Sequence, residues 1–116
     1  DIRALSAIAK QYQIEMPILD SIDEVNERQK RFLAGKILSY FSSQGGVRGK
    51  TIAVWGLSFK PDTDDIREAP SLSLIEDLLD NGARIRAYDP VAIPNAKKIF
   101  ANDPRVEFCK DEYDAA

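Results

Sequence analysis

The feature that most narrows the fold is an alternation of strand-like and helix-like runs beginning at Thr51. Thr51-Ile52-Ala53-Val54-Trp55 is a compact β-prone run that stops at Gly56, and its composition predicts a buried strand. Residues 70–81 place Leu72, Leu74, Ile75, Leu78 and Leu79 at helical spacing, with Pro70 in the first turn and Asn81-Gly82 as the stop. Arg84 to Tyr88 reads as a second strand, ended by Asp89-Pro90. Residues 91–101 read as a helix whose start Pro94 obscures, residues 106–109 as a short third strand, and the last residues as the beginning of another helix. Strand, helix, strand, helix, strand in this order predicts a parallel sheet joined by right-handed crossovers. Three strands amount to about half of a Rossmann-like doubly wound domain. The expected fold class is therefore α/β, a partial Rossmann-like sheet cut short at both ends.

A different pattern precedes that alternation. Residues 1–12 carry Ile2, Leu5, Ile8 and Ala9 at helical spacing. After Pro17 a longer helix is expected over about residues 18–41, with Asp20 or Ser21 as N-cap. Its apolar positions Ile22, Val25, Phe32, Leu33, Ile37, Tyr40 and Phe41 form one stripe. Such a stripe packs either on its own domain or between domains or subunits. The chain thus divides into a helical segment, residues 1–45, and an α/β unit, residues 46–116.

Composition removes several function classes. The net charge of −3 does not suit a nucleic-acid surface. With no His and a single Cys, a typical zinc site is not expected, and neither a Ser-His-Asp nor a Cys-His catalytic unit can be assembled. The lone Cys109 fits a reducing cytoplasm and sits in an apolar run, which suits a core residue better than a nucleophile. No apolar run approaches the ~18 residues of a membrane span. The chain opens on Asp1-Ile2-Arg3 with neither an initiator Met nor a signal sequence, which suggests a piece of a longer protein.

The chemistry concentrates in the loop after the first strand. Ligands of open α/β sheets bind beyond the carboxyl ends of the strands, and residues 57–69 make an unusually long connection there. Gly56 permits a sharp bend, and Phe59 offers a flat apolar face for a base. Lys60 and Arg67 supply a point charge and a planar fork, both suited to phosphate, and the helix start near Pro70 adds a favourable dipole. The simpler reading is that both cations pair with Asp62, Asp64, Asp65 or Glu68. The sequence has no GxGxxG, so Asp89 reads as a turn residue rather than a ribose-binding acid. Asp64-Asp65 reads as backbone caps rather than an acid–base pair.

The run GLSFKPDTDDIREAP closely resembles the signature of the UDP-binding domain of the UDP-glucose/GDP-mannose dehydrogenase family. VNERQK resembles that family's interdomain helix, GKTIAVWG the first strand of the UDP-binding domain, and DNGARIRAYDPVA the end of its first helix and its second strand. DIRAL resembles the segment following the catalytic cysteine motif, roughly Cys-Phe-Pro-Lys-Asp. FKPDTDD, EAP and YDPVA look more like the UDP-glucose branch than the GDP-mannose branch. The resemblance implies that Phe59 and Lys60 contact the uridine part of a sugar nucleotide. It implies that Arg67 reaches toward NAD held by another domain, and that Asp1 assists hydrolysis. The family reaction takes UDP-glucose, two NAD⁺ and water to UDP-glucuronate and two NADH through a cysteine-bound thiohemiacetal and thioester. The long helix would help form a homodimer, and the product would feed polysaccharide synthesis. Lacking the cysteine and the first domain, this chain is expected to be inactive alone. A dehydrogenase of UDP-N-acetylmannosamine or GDP-mannose, or a non-catalytic nucleotide-binding or dimerisation module, remains an alternative.

Overall fold

The structure is a computed structural model that describes residues 2–116. Two helices lead, α1 (Ile2–Gln11) and α2 (Pro17–Ser42), followed by β1 (Thr51–Trp55), α3 (Pro70–Asp80), β2 (Arg84–Tyr88), α4 (Ile93–Phe100), β3 (Val106–Phe108) and the single turn α5 (Glu112–Ala115). The strands form one parallel sheet in the order β1-β2-β3, with Thr51 opposite Arg84 and Ile85 opposite Val106. That order, with a helix in each crossover, is half of a doubly wound sheet. The expected partial Rossmann-like α/β architecture is what forms, preceded by the long helix.

Two local expectations need correcting. β1 is not a buried strand: it lies at the sheet's edge, only Val54 is buried, and Trp55 is 60% exposed. It has one neighbouring strand, and it also packs against the short α5. The long helix is not capped by Asp20 or Ser21, because it begins at Pro17, whose missing N–H costs nothing at the first position. Ser21 Oγ instead donates back to the Pro17 carbonyl at 2.8 Å, and Asp20 accepts from Ser6 Oγ at 3.0 Å.

Period-two burial explains the sheet. Ile85 and Ala87 of β2 point into the core with Val54, while Arg84, Arg86 and Tyr88 take the other face. On the core side α3 buries Ile75, Leu78 and Leu79, and α4 buries Ala96 and Phe100. Leu57, Ile75, Leu78 and Ile85 are the largest fully enclosed side chains, each contributing about 1.5–3 kcal/mol by leaving water. On the opposite face Arg86 pairs with Glu107 and Asp114, and Ala115 is buried.

The stripe on α2 divides in two. Ala34 is buried, and Ile37, Leu38 and Phe41 are half-buried against the α/β core; Arg31 also pairs with Asp77 of α3. These positions follow i, i+3, i+4, i+7 and form the packed line. Ile22, Val25, Phe32, Leu33 and Tyr40 stay exposed. No helix among the described residues is long and apolar enough to cross a membrane.

Candidate functional site

The site grows from the end of β1. Gly56 extends the ladder by donating to the Tyr88 carbonyl at 2.8 Å, then turns the chain with φ +90, a region L side chains rarely adopt. Leu57 plugs into the core while its carbonyl accepts from Ser71 Oγ of α3 at 2.8 Å. The chain then emerges, and Phe59 (55% exposed) and Lys60 stand side by side at the surface. The excursion folds back on itself: Phe59 N–H donates to the Asp65 carbonyl at 2.7 Å, and Ser58 Oγ lies 2.7 Å from the Thr63 carbonyl. Asp62 and Glu68 both take φ +60, a left-handed conformation that costs non-glycine residues free energy and gathers at functional loops. Ile66 and Ala69 return the chain to the core, and Pro70 opens α3.

The two cations differ in state. Arg67 is clamped by Asp65 through Nε at 3.0 Å and Nη2 at 2.7 Å, and its backbone N–H donates to the same carboxylate. That guanidinium, beside Asp65, holds its carboxyl down to about 2. The side chain is nevertheless 86% exposed, so the clamp sits at the surface with donors left over. Lys60 enters no ion pair among the described residues, although its charge helps to depress Asp65. The pairing reading therefore holds for Arg67 and not for Lys60. Asp1 lies outside the described residues.

Several contributors were not legible in the sequence. Asp89, read as a turn residue, is only 5% exposed and accepts from the backbone on both sides of the strand tips. Burial pushes its carboxyl upward, but the N–H groups of Leu57, Val91 and Ala92 and the Ser58 hydroxyl outweigh that and lower it. Asn95 of α4 donates to Asp64. Glu68 accepts from Lys30 Nζ at 2.7 Å and from Arg3, which also reaches Asp23 and Glu27, so both leading helices are tied to the end of the loop. The salt links with Lys30 and Arg3 outweigh desolvation and keep Glu68 below its ordinary value. Cys109 is buried at the end of β3, away from the loop. The DP dipeptide marked Asp89 as a strand end; Glu68, expected to pair with Lys60 or Arg67, pairs instead with Lys30 and Arg3, and nothing in the sequence marked Asn95.

A half-built Rossmann-like sheet with a long, self-braced loop beyond its first strand defines a nucleotide-binding type of domain. The chain belongs to the UDP-glucose/GDP-mannose dehydrogenase family: the pattern of that family's UDP binding domain matches residues 53–116. Among similar proteins, the UDP-glucose 6-dehydrogenase of Pseudomonas aeruginosa is 50% identical over 92 residues, which cover 79% of this chain and 20% of that protein. TuaD, the UDP-glucose 6-dehydrogenase of Bacillus subtilis, is 41% identical over 115 residues, covering 99% and 24% respectively. Among solved structures, a UDP-glucose dehydrogenase from the archaeon Pyrobaculum islandicum superposes with a TM-score of 0.80 at 31% identity, over 95% of this chain and 24% of that one. A GDP-mannose dehydrogenase from Pseudomonas aeruginosa superposes at 0.66 and 29% identity, over 96% and 26%. The chain spans about a fifth to a quarter of the length of these relatives.

Proposed function

We propose that residues 57–69 hold the UDP moiety of a sugar nucleotide, and that the chain is the UDP-binding part of an NAD-dependent dehydrogenase oxidising UDP-glucose to UDP-glucuronate. The observation that carries this reading is the pairing of Phe59 and Lys60. An exposed ring and an uncommitted ammonium stand next to each other beyond the carboxyl end of a strand. A ring suits the face of a uracil, and an ammonium suits a diphosphate. Family membership and the greater fold likeness to UDP-glucose than to GDP-mannose dehydrogenase support the choice of nucleotide.

In this reading Lys60 neutralises the diphosphate while Phe59 covers the base. Neither group performs bond chemistry; they fix the sugar's position for hydride removal, and such positioning lowers barriers by several kcal/mol. NAD, the hydride acceptor of the family, is held outside this chain, which has no glycine fingerprint for it. Arg67, presented to solvent by its clamp on Asp65, offers its spare donors toward that cofactor. Asp1 would assist the hydrolytic step. The protein works in the cytoplasm, and two copies associate through the exposed part of the α2 stripe, Val25, Phe32 and Leu33, continuing toward Ile37.

Trp55 lies one residue before the bend and reports on it. Titration of UDP into the chain is expected to change Trp55 fluorescence saturably, with Lys60→Ala weakening binding about 10-fold, as for loss of a charge-assisted contact. No saturable change, or equal affinity in Lys60→Ala, overturns the reading.

A further inference from the structure

The loop that carries Phe59 and Lys60 is fastened to the rest of the fold at both limbs, and both fasteners come from one short segment after β2. Asp89 holds the near limb. Its Oδ2 accepts from Leu57 N–H at 2.8 Å, and lies 3.3 Å from Ser58 N and 3.1 Å from Ser58 Oγ. Its Oδ1 accepts from Val91 N–H at 2.8 Å and Ala92 N–H at 2.7 Å. Asn95 holds the far limb, donating from Nδ2 to the Asp64 carbonyl at 3.0 Å, with Asp64 Oδ2 at 3.2 Å. Phe59 and Lys60 follow directly on the near anchor, and the bond from Phe59 N–H to the Asp65 carbonyl ties them to the residue after the far anchor.

We infer that Asp89 and Asn95 are positioning residues for nucleotide binding, a two-point clamp that sets Phe59 and Lys60 in place before any ligand arrives. The inference rests on the reading of the loop as the UDP site. A ligand gripped by mobile side chains on a mobile loop loses affinity to their ordering, and a loop ordered in advance avoids that loss. Both oxygens of Asp89 are taken up by backbone donors, and the residue is 5% exposed. It is therefore unavailable to a ribose hydroxyl, although it stands where dinucleotide-binding folds carry their ribose-binding acid. In this chain that position has a different duty: it binds the tips of β1 and β2 into one unit.

Asn95→Ala removes exposed hydrogen bonds to Asp64 and from Lys98, and is expected to keep the fold. UDP is titrated against Asn95→Ala, Asp89→Asn and a control, Asp103→Asn. Asp103 likewise caps a backbone N–H, that of Arg105, at the entry to β3 and away from the loop. At a temperature where each variant is folded, Asn95→Ala is expected to bind UDP about 3-fold more weakly and Asp89→Asn about 10-fold or more. Asp103→Asn is expected to bind like the parent even though it is less stable. Hydrogen exchange at the Phe59 amide should quicken in Asn95→Ala while amides in β2 keep their protection. Affinity unchanged in both clamp variants overturns the inference, as does a parallel loss in the control. If Asp89→Asn does not fold, Asn95→Ala decides alone. Failure of the parent chain to bind UDP instead overturns the reading of the loop, and the inference falls with it.

Discussion

Three glycines separate the effect of backbone sign from that of space, and Gly56→Ala is the central test. Gly56 has φ +90, and a Cβ built on it meets nothing within 4 Å. Steric clash with neighbours therefore adds nothing, and the cost is the conformational one of an L residue in left-handed backbone, about 1–2 kcal/mol. Alanine also restricts the unfolded chain, which is worth about 0.4–1 kcal/mol, but at positive φ the native strain exceeds that gain. Gly82 shares the positive φ (+85), and its added Cβ would lie 3.2 Å from Arg48 Cγ. Since Arg48 is exposed and its side chain can turn aside, that contact adds about 0.5–1 kcal/mol. Gly35 lies inside α2 with no neighbour within 4 Å, so alanine there should stabilise by about 0.8–1 kcal/mol. Urea unfolding should rank the variants Gly35→Ala, parent, Gly56→Ala, Gly82→Ala from most to least stable. The net cost of Gly56→Ala is then about 1 kcal/mol, and with a slope of ~1–3 kcal/mol per molar it should shift the midpoint down by about 0.3–1 M. A Gly56→Ala variant as stable as the parent would refute the claim that the bend needs a residue free to take positive φ.

Other consequences are as direct. The Asp65 carboxyl should titrate near 2 by carbon NMR and return toward 3.8 in Arg67→Ala; a midpoint unmoved by that change removes the clamp. Because this pKa is depressed in the fold, the stabilisation from the clamp is complete above the unfolded value, about 3.9, and fades as pH falls through 2. Ile75→Ala, at a fully enclosed position, should cost about 2–5 kcal/mol in the same urea assay, whereas Ile18→Ala, at an exposed one, should cost under about 0.5. Phe32→Glu should weaken self-association measured by light scattering without lowering the urea midpoint at concentrations where the parent is monomeric, and a strict monomer at high concentration in the parent rules out the α2 interface. The chain incubated with UDP-glucose and NAD⁺ should produce no NADH, and measured turnover contradicts its proposed role as a binding part alone.

The sequence by itself determined the element order and the parallel sheet. Period-two and period-3.6 patterns are local, and Pro70, Asn81-Gly82 and Asp89-Pro90 mark boundaries that any fold must respect. It also singled out the connection after β1, because a long loop holding Phe59, Lys60 and Arg67 after a strand is visible without coordinates. Only the tertiary structure decided the rest. Whether β1 is buried depends on how many strands flank it, and which part of the α2 stripe packs depends on where α3 lies. Which cation is committed depends on geometry that opposite charges in a row do not specify: Arg67 closes a planar fork on Asp65, while Lys60 acts on the same carboxylate only through its charge. Asp89, Asn95 and Glu68 act on residues 31 to 65 positions away. Contacts at that separation leave no periodic trace in a single sequence, because they are set by the crossovers that bring strand tips and helix starts together.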